Sequence, residues 1–164
     1  MDLEARARAV RLAIFDVDGV MTDGTLYFGP RGEVMKAFHI QDGHGLKLLQ
    51  KAGVVTAVLS GRTSAAVTRR AKELTIAHVI QGTGDDKIPE FEKLLKKLKL
   101  REEQCSFMGD DIQDLPVLRR CGLAAAPSNA LEPVKAAVHL VTKAHGGRGA
   151  IRELCDFVIQ AQKK

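Results

Sequence analysis

The strongest constraint on the fold of this chain is a regular alternation of short apolar runs with helical patterns. The apolar runs lack strict polar–apolar alternation, which is typical of strands buried on both faces of a sheet. The runs are RLAIFDV, VVTAVLS, HVIQG, QCSFMG and LAAAP, with a weaker HLVT after them. The helical patterns cover residues 42–52, 63–74, 87–100, 112–121 and 149–164. This order predicts an α/β fold, a Rossmann-like open parallel sheet with helices on both faces.

One segment interrupts this alternation directly after the first apolar run. Residues 25–40 carry strand-like sequence on either side of the turn signal GPRG, so they predict an inserted β-hairpin. The short segment between the first two strands leaves no room for a large cap domain. With 164 residues and 45% apolar content, we expect residues 1–164 to form a single domain, with the hairpin at about 25–40 and a C-terminal tail at about 145–164.

Composition excludes several classes of protein. No apolar run approaches the ~20 residues of a membrane span, and the N-terminus lacks the apolar centre of a signal peptide. The three cysteines, Cys105, Cys121 and Cys155, have no CxxC spacing, so we expect buried thiols in a reducing cytoplasm and no membrane partner.

The net charge of +5 admits an anionic partner. The densest basic run, residues 92–101, carries its apolar side chains at helical spacing and has no aromatic residues to stack on bases. We therefore interpret it as the solvated face of an amphipathic helix and expect no nucleic-acid partner.

Polar groups follow the ends of four predicted strands. Because ligands of open α/β sheets bind beyond the carboxyl ends of the strands, the fold is expected to bring these groups together. They are Asp16 and Asp18 after the first strand, Ser60, Gly61 and Arg62 after the second, Lys87 after the third, and Asp110 and Asp111 after the fourth.

Carboxylates that converge in one cleft repel each other unless a cation lies between them. Asp16 and Asp110, without His or Cys alongside, form a hard oxygen site suited to Mg²⁺. Ser60, Lys87 and the amides of the following helix predict a phosphate cradle opposite that site. Asp16 is then positioned to attack phosphorus, and Asp18 to protonate the leaving oxygen and later activate water.

These residues resemble the motifs of the haloacid dehalogenase superfamily of phosphohydrolases. The segments DVDG, LSGR, Lys87 and GDDIQD match the four motifs of that superfamily in order and at suitable separations. Within it, DVDGVMTDG, KAFHIQDGHG and HGGRGAIRELCDFVIQAQ resemble the capless family of 3-deoxy-D-manno-octulosonate 8-phosphate phosphatases over nearly the whole chain.

The resemblance implies Mg²⁺-dependent release of phosphate from an eight-carbon sugar acid phosphate in lipopolysaccharide biosynthesis. It also implies a homotetramer in which hairpins form a central barrel and the tail of one subunit approaches a neighbouring site. Carried over residue by residue, it makes Asp16 the nucleophile and Asp18 the acid/base. The implied metal ligands are Asp16, Asp18 through its carbonyl, and Asp110, with Asp111 and Asp114 in supporting positions. The implied phosphate-binding residues are Ser60, Gly61 and Lys87, and the implied substrate-binding residues are Arg62, Arg70 and, from the adjacent subunit, Arg148.

Each motif also has an ordinary structural interpretation. Asp16 and Asp18 are common turn and cap residue types, and Ser60-Gly61 alone is a strand-end turn. Asp111 and Asp114 equally fit an N-cap and a first-turn acid. Arg69 and Arg70 are adjacent on one helix, so at least one of them is surface charge.

Two other functions remain open from the sequence. The same chemistry serves a phosphatase for a nine-carbon sugar acid 9-phosphate, because chain length depends on details of the pocket. A non-catalytic phosphoacceptor or oligomerisation domain is the alternative from another class. Asp18 two residues after Asp16 favours turnover over a retained phosphate.

Overall fold

The computed structural model describes residues 2–163 and confirms the predicted α/β fold without a large cap. A six-stranded parallel sheet has the strand order β5-β4-β1-β6-β7-β8, and a separate antiparallel pair, β2 and β3, forms the hairpin. The strands are β1 (Leu12–Phe15), β2 (Tyr27–Gly29), β3 (Gly32–Met35), β4 (Val55–Leu59), β5 (His78–Ile80), β6 (Cys105–Met108), β7 (Leu123–Ala126) and β8 (Leu140–Val141).

Helices cover both faces of this sheet. They are α1 (Leu3–Ala9), α2 (Ile40–Lys51), α3 (Ala65–Glu73), α4 (Ile88–Leu98), α5 (Leu115–Leu118), α6 (Glu132–Lys135) and α7 (Ala150–Lys163), with short 3-10 turns at Glu102–Gln104 and Ile112–Asp114. Within residues 2–163, no helix is both long and apolar enough to cross a membrane.

The central strand β1 shows why the apolar runs lack alternation. Ala13 and Phe15 face a core shared with α2, α3 and α7, whereas Leu12 and Ile14 face a second core shared with α4 and α5. All four residues are buried. Since both faces of the strand contact helices, every position is apolar.

The hairpin lies where the sequence predicts it, between β1 and α2. Its apolar side chains differ from those of the sheet because they point outward: Phe28 is 61% and Val34 is 64% exposed. Leu26, Met35 and the nearby Ile40 are exposed as well.

Three helical features differ from the sequence analysis. The helices α1 and α6 are additional, and the predicted helix at 112–121 is a 3-10 turn followed by the short α5. Helix α1 intersperses charged residues with small apolar ones and buries only Ala7 completely. Asp2 caps it by accepting a hydrogen bond from the Ala5 amide at 2.7 Å. Such short, weakly amphipathic helices are stabilised by caps and tertiary contacts, which periodicity does not register.

Candidate active site

A cleft of about 270 Å³ opens at the carboxyl ends of β1, β4 and β6. These are the central strands of the sheet, and the strand order changes direction around β1, which is where open α/β sheets bind ligands. The cleft is lined by Asp16, Asp18, Gly19, Gly24, Leu26, Ser60, Gly61, Arg62, Asp110, Asp111 and Gln113. The fold therefore brings together residues from both halves of the chain.

A buried lysine lies beneath the carboxylates of this cleft. The Nζ of Lys87 is 3.0 Å from Oδ2 of Asp16 and 2.6 Å from Oδ1 of Asp114, and all three side chains are nearly or fully buried. Asp114 uses its other oxygen, Oδ2, to accept hydrogen bonds from the amides of Asp110 and Asp111 at 3.0 and 3.2 Å. Asp114 thus joins the lysine to the loop after β6, and the buried ammonium is paired on both sides.

Burial and neighbouring negative charges raise the pKa of two carboxyl groups in the cleft. Burial, followed by the charge of Asp114, raises the pKa of Asp16 to about 7, although Lys87 opposes the shift. Burial and the charges of Asp16, Asp114 and Asp111 raise the pKa of Asp110 to about 7. The pKa of Lys87 is also raised, because the two aspartates outweigh the effect of its burial. Without a further cation, the cleft therefore holds an excess of negative charge.

This excess fits a divalent metal. Asp16, Asp110 and Asp114 each direct a carboxylate oxygen to a common region, where these oxygens lie within 4.8 Å of one another. The donor set is entirely oxygen, which is the set that Mg²⁺ prefers. The side chain of Asp114 is already bonded to Lys87 and to two amides, so Asp16 and Asp110 are the carboxylates best placed to bind the metal.

Asp18 lies at the rim of the cleft, and its side chain is 25% exposed. One of its carboxylate oxygens is 2.5 Å from the Nζ of Lys36, which follows strand β3 of the hairpin. Asp16, in contrast, is 5% exposed and accepts a hydrogen bond from the amide of Val17 at 2.7 Å. The two aspartates of DVDG therefore occupy different environments, one buried and one open to the cleft.

The loop after β4 forms the opposite wall. The amide of Ser60 donates to the carbonyl of Ile80, and the carbonyl of Gly61 accepts from the amide of Gly84 at 3.1 Å. A Cβ at Gly61 would lie 2.7 Å from the carbonyl oxygen of Gly84. This close approach explains the glycine. Ser60, which is 3% exposed, lines the cleft beside it.

The GGRG segment of the tail packs against the DVDG loop of its own chain. A Cβ on Gly146 would lie 1.8 Å from the carbonyl oxygen of Gly19, and the amide of Gly147 donates to the carbonyl of Val20 at 2.9 Å. Asn129 joins the two segments, since it accepts from Gly146 at 2.6 Å and donates to the Gly19 carbonyl at 3.4 Å. The glycines are therefore required for packing beside the cleft.

The remaining predicted residues lie in varied places. Arg62 lines the cleft. Lys87 does not lie opposite the carboxylates, as predicted, but is enclosed beneath them, where its ammonium pairs with Asp16 and Asp114. Asp111 caps the 3-10 turn by accepting from the amide of Ile112. Arg148 is exposed and lies 3.5 Å from Asp23 of its own chain. The structure does not bring Arg70 to the cleft: it pairs with Glu73 at 2.8 Å, so its role in binding substrate stays a prediction.

Several residues at the site were not anticipated from the sequence. Asn129 follows β7, so its place at the carboxyl edge of the sheet was an available signal. Lys36 and Glu33 belong to the hairpin. The periodicity of apolar residues in the sequence does not predict where the hairpin lies relative to the cleft. Gln113 and Leu26 complete the lining.

Comparison with known proteins agrees with this geometry. The model of the haloacid dehalogenase-like hydrolase family matches residues 78–154. The 3-deoxy-D-manno-octulosonate 8-phosphate phosphatase of Yersinia pestis is 41% identical over 163 residues, which cover 99% of this chain and 87% of that protein.

Solved structures of related phosphatases also match the chain over nearly its full length. A probable YrbI family phosphatase from Pseudomonas syringae pv. phaseolica has a TM-score of 0.95 and 50% identity, covering 98% of this chain and 91% of that one. The 3-deoxy-D-manno-octulosonate 8-phosphate phosphatase of Moraxella catarrhalis, in complex with magnesium, phosphate and the sugar acid, has a TM-score of 0.95 and 40% identity, covering 98% and 92%. The chain therefore belongs to the 3-deoxy-D-manno-octulosonate 8-phosphate phosphatase family of haloacid dehalogenase-like hydrolases.

Proposed function

We propose that this protein hydrolyses 3-deoxy-D-manno-octulosonate 8-phosphate to the free sugar acid and phosphate, as a step of lipopolysaccharide biosynthesis. The observation that carries the proposal is the cleft itself, where Asp16, Asp18, Ser60 and Asp110 converge at the carboxyl edge of the sheet. The near full-length similarity to phosphatases of this name supports the choice of substrate.

Asp16 is the nucleophile in this proposal. Its carboxylate oxygen attacks phosphorus, an aspartyl-phosphate bond forms, and the bond between phosphorus and the sugar oxygen breaks. Asp18 donates its proton to that departing oxygen, so the sugar leaves as an alcohol. Asp18 then takes a proton from water, which attacks the aspartyl-phosphate and releases inorganic phosphate and free Asp16.

Positive charge and hydrogen-bond donors hold the transferring group. Asp16, Asp110 and the carbonyl of Asp18 are the proposed ligands of Mg²⁺, which when bound neutralises the carboxylates and the phosphate oxygens. Ser60 and Gly61 contact the phosphate from the opposite wall. Lys87, paired with Asp16 and Asp114, supplies a fixed positive charge next to the nucleophile.

Arginines at the rim are proposed to bind the anionic groups of the substrate. Arg62 lines the cleft, and its guanidinium lies 5.7 Å above the ring of Phe28 in the hairpin. Arg148 is proposed to act at the site of a neighbouring subunit; within its own chain it is exposed and lies 3.5 Å from Asp23. Arg70 is assigned to substrate by resemblance alone.

The proposed assembly is a homotetramer in which hairpins form a central barrel and the tail of one subunit reaches a neighbouring site. The exposed apolar side chains of the hairpin, including Phe28 and Val34, support this assembly because they would otherwise face water. Light scattering should give about four times the chain mass of 17.8 kDa. A monomer at assay concentration would contradict both the barrel and the borrowed tail.

We also propose that residues 1–164 act as one domain in the cytoplasm. The three cysteines support a reducing compartment, since all are buried free thiols.

The proposed activity is tested by phosphate release with Mg²⁺ from three classes of ester. These are the eight-carbon sugar acid 8-phosphate, the nine-carbon 9-phosphate and simple hexose phosphates. A strong preference for the eight-carbon ester is expected. A preference for the nine-carbon ester would keep the mechanism and change the substrate, whereas no release from any ester would refute the activity.

A further inference from the structure

The hairpin ends in a lysine whose burial needs an explanation. Lys36 follows β3, and its side chain is only 2% exposed although neighbouring hairpin residues face water. A buried ammonium is costly unless it is paired. Its partners are the carboxylates of Asp18, at 2.5 Å, and Glu33, at 3.0 Å. The lysine therefore joins the hairpin to a proposed catalytic carboxyl group.

The contact leaves Asp18 with one held oxygen and one free oxygen. Lys36 binds Oδ1, and Oδ2 accepts no hydrogen bond from any residue in the range 2–163. The second torsion of an aspartate side chain is broad when nothing holds it. Because Asp18 lines the cleft, a fixed Oδ1 limits the directions in which Oδ2 can face.

Glu33, the second partner of Lys36, attaches the hairpin to the loop after β4. Its Oε1 accepts from the hydroxyl of Ser64 at 2.5 Å, and its Oε2 lies 3.4 Å from the guanidinium of Arg62. Hydrogen bonds from Ser64 and Lys36 lower the pKa of Glu33 despite its burial. The hairpin is thus attached both to the loop after β4 and, through Lys36, to the loop after β1.

We propose that Lys36 is a positioning residue that orients the Asp18 carboxyl group toward the leaving oxygen of the substrate. The inference rests on the proposed function and adds a residue that acts on the reaction through Asp18, with Glu33 as its second partner. Its consequence is that proton delivery depends on how the hairpin is seated. General acid catalysis matters for a sugar alcohol, which leaves poorly without a proton, and matters little for a p-nitrophenolate.

This difference between leaving groups provides the test. The value of kcat/KM includes steps only through the cleavage of the ester bond. In Lys36→Met it should fall about 100-fold on the eight-carbon sugar phosphate and by about threefold or less on p-nitrophenyl phosphate. A burst of p-nitrophenolate should precede slow turnover, since Asp18 also serves the hydrolysis of the aspartyl-phosphate.

Three further variants complete the design. Lys36→Arg, which keeps the charge, should restore much of the rate on the sugar phosphate. Lys36→Gln keeps a neutral donor and replaces the Met variant if that variant does not fold. Lys93→Met is the matched control, because Lys93 pairs with Glu90 at the same 2.5 Å distance on an exposed helix face. It should leave both rates unchanged.

Equal losses on the two esters, or no loss on either, would overturn the role of Lys36 while leaving the phosphatase assignment intact. A loss on the sugar phosphate that is confined to KM would also overturn it, because it would place the effect on Arg62 through Glu33. A wild-type protein inactive on both esters would refute the proposed function and this inference with it.

Discussion

The Nζ of Lys87 lies between two carboxylates, 3.0 Å from Asp16 and 2.6 Å from Asp114. Asp114 is fully buried and also accepts two backbone amides from the loop that carries Asp110. Lys87 and Asp114 therefore connect the proposed nucleophile, Asp16, after β1 with the proposed metal ligand, Asp110, after β6.

Removing Asp114 should be strongly destabilising. In Asp114→Ala, Lys87 keeps only one carboxylate and two buried amides lose their acceptor, so we expect a loss of about 3–5 kcal/mol in the free energy of unfolding. Glu132→Ala is the control, because Glu132 pairs with Lys135 at 2.5 Å but is 85% exposed. It should cost no more than about 1 kcal/mol in denaturant unfolding. Similar losses of unfolding free energy in the two variants would show that the buried Lys87–Asp114 pair stabilises the fold no more than an exposed pair does.

Stability should depend on pH and Mg²⁺ together. The pKa values of Asp16 and Asp110, about 7, exceed the ordinary 3.8. The folded protein without metal therefore binds more protons than the unfolded chain between about pH 4 and pH 7, and its free energy of unfolding falls as pH rises through that range.

Mg²⁺ competes with those protons, so its effect should run in the opposite direction. We expect the metal to raise the melting temperature more at about pH 8 than at about pH 6, and thermal unfolding with and without Mg²⁺ measures this directly. Asp110→Asn should abolish most of the metal effect at the higher pH. A shift that is the same at both pH values would count against proton-linked metal binding by these carboxylates.

The contact between the tail and the DVDG loop should make Gly147 sensitive to substitution. Its φ is +65°, and a Cβ would lie 2.5 Å from the backbone of Thr22 and Asp23. Gly53 also has a positive φ, +88°, but a Cβ there would meet no atom within 4 Å. Gly53→Ala therefore measures backbone strain alone, about 1–2 kcal/mol. Gly147→Ala should lower the free energy of unfolding by more than that and should also lower kcat/KM. Denaturant unfolding and steady-state kinetics measure the two effects. Equal losses of stability in the two variants, with activity intact, would argue against the packing role of Gly147.

Much of the fold was predictable because burial on both faces leaves a strong apolar signal. The five main strands and the hairpin agree with the sequence analysis, and the alternation of strands and helices was sufficient to place Asp16, Ser60 and Asp110 at one edge. Helix α6 was missed because its four residues begin with Glu-Pro and span about one turn, too short for a period of 3.6 to register.

The contacts of individual side chains were less accessible from sequence. Arg70 lies on the predicted helix, yet its direction was set by the nearby Glu73 and by packing against Gly43. Lys36 was missed because nothing local distinguishes a lysine that bonds across 18 positions of sequence from one that faces water. Such long-range pairings depend on how the hairpin folds over the sheet.

Helix α7 should depend on a carboxylate from another helix. Asp42 in α2 accepts hydrogen bonds from the amides of Gly149 and Arg152, at 3.3 and 2.9 Å, and so serves the N-terminus of α7. Asp42→Asn removes the charge and one acceptor, and we expect a loss of about 1–2 kcal/mol in the free energy of unfolding. Asp156→Asn, which alters a half-exposed pair with Arg152, is the control and should cost less than about 1 kcal/mol. A larger effect at Asp156 than at Asp42 would refute this capping role.

The most direct test of the proposed mechanism is to trap phosphate on Asp16. The protein is quenched in acid during turnover of the eight-carbon sugar acid 8-phosphate with Mg²⁺, digested at low pH, and analysed by mass spectrometry. We expect one phosphoryl group on the peptide that carries Asp16, lost on mild alkaline treatment and absent from Asp16→Asn. Rapid phosphate release by Asp16→Asn, or a phosphoryl group on a different residue, would contradict the mechanism.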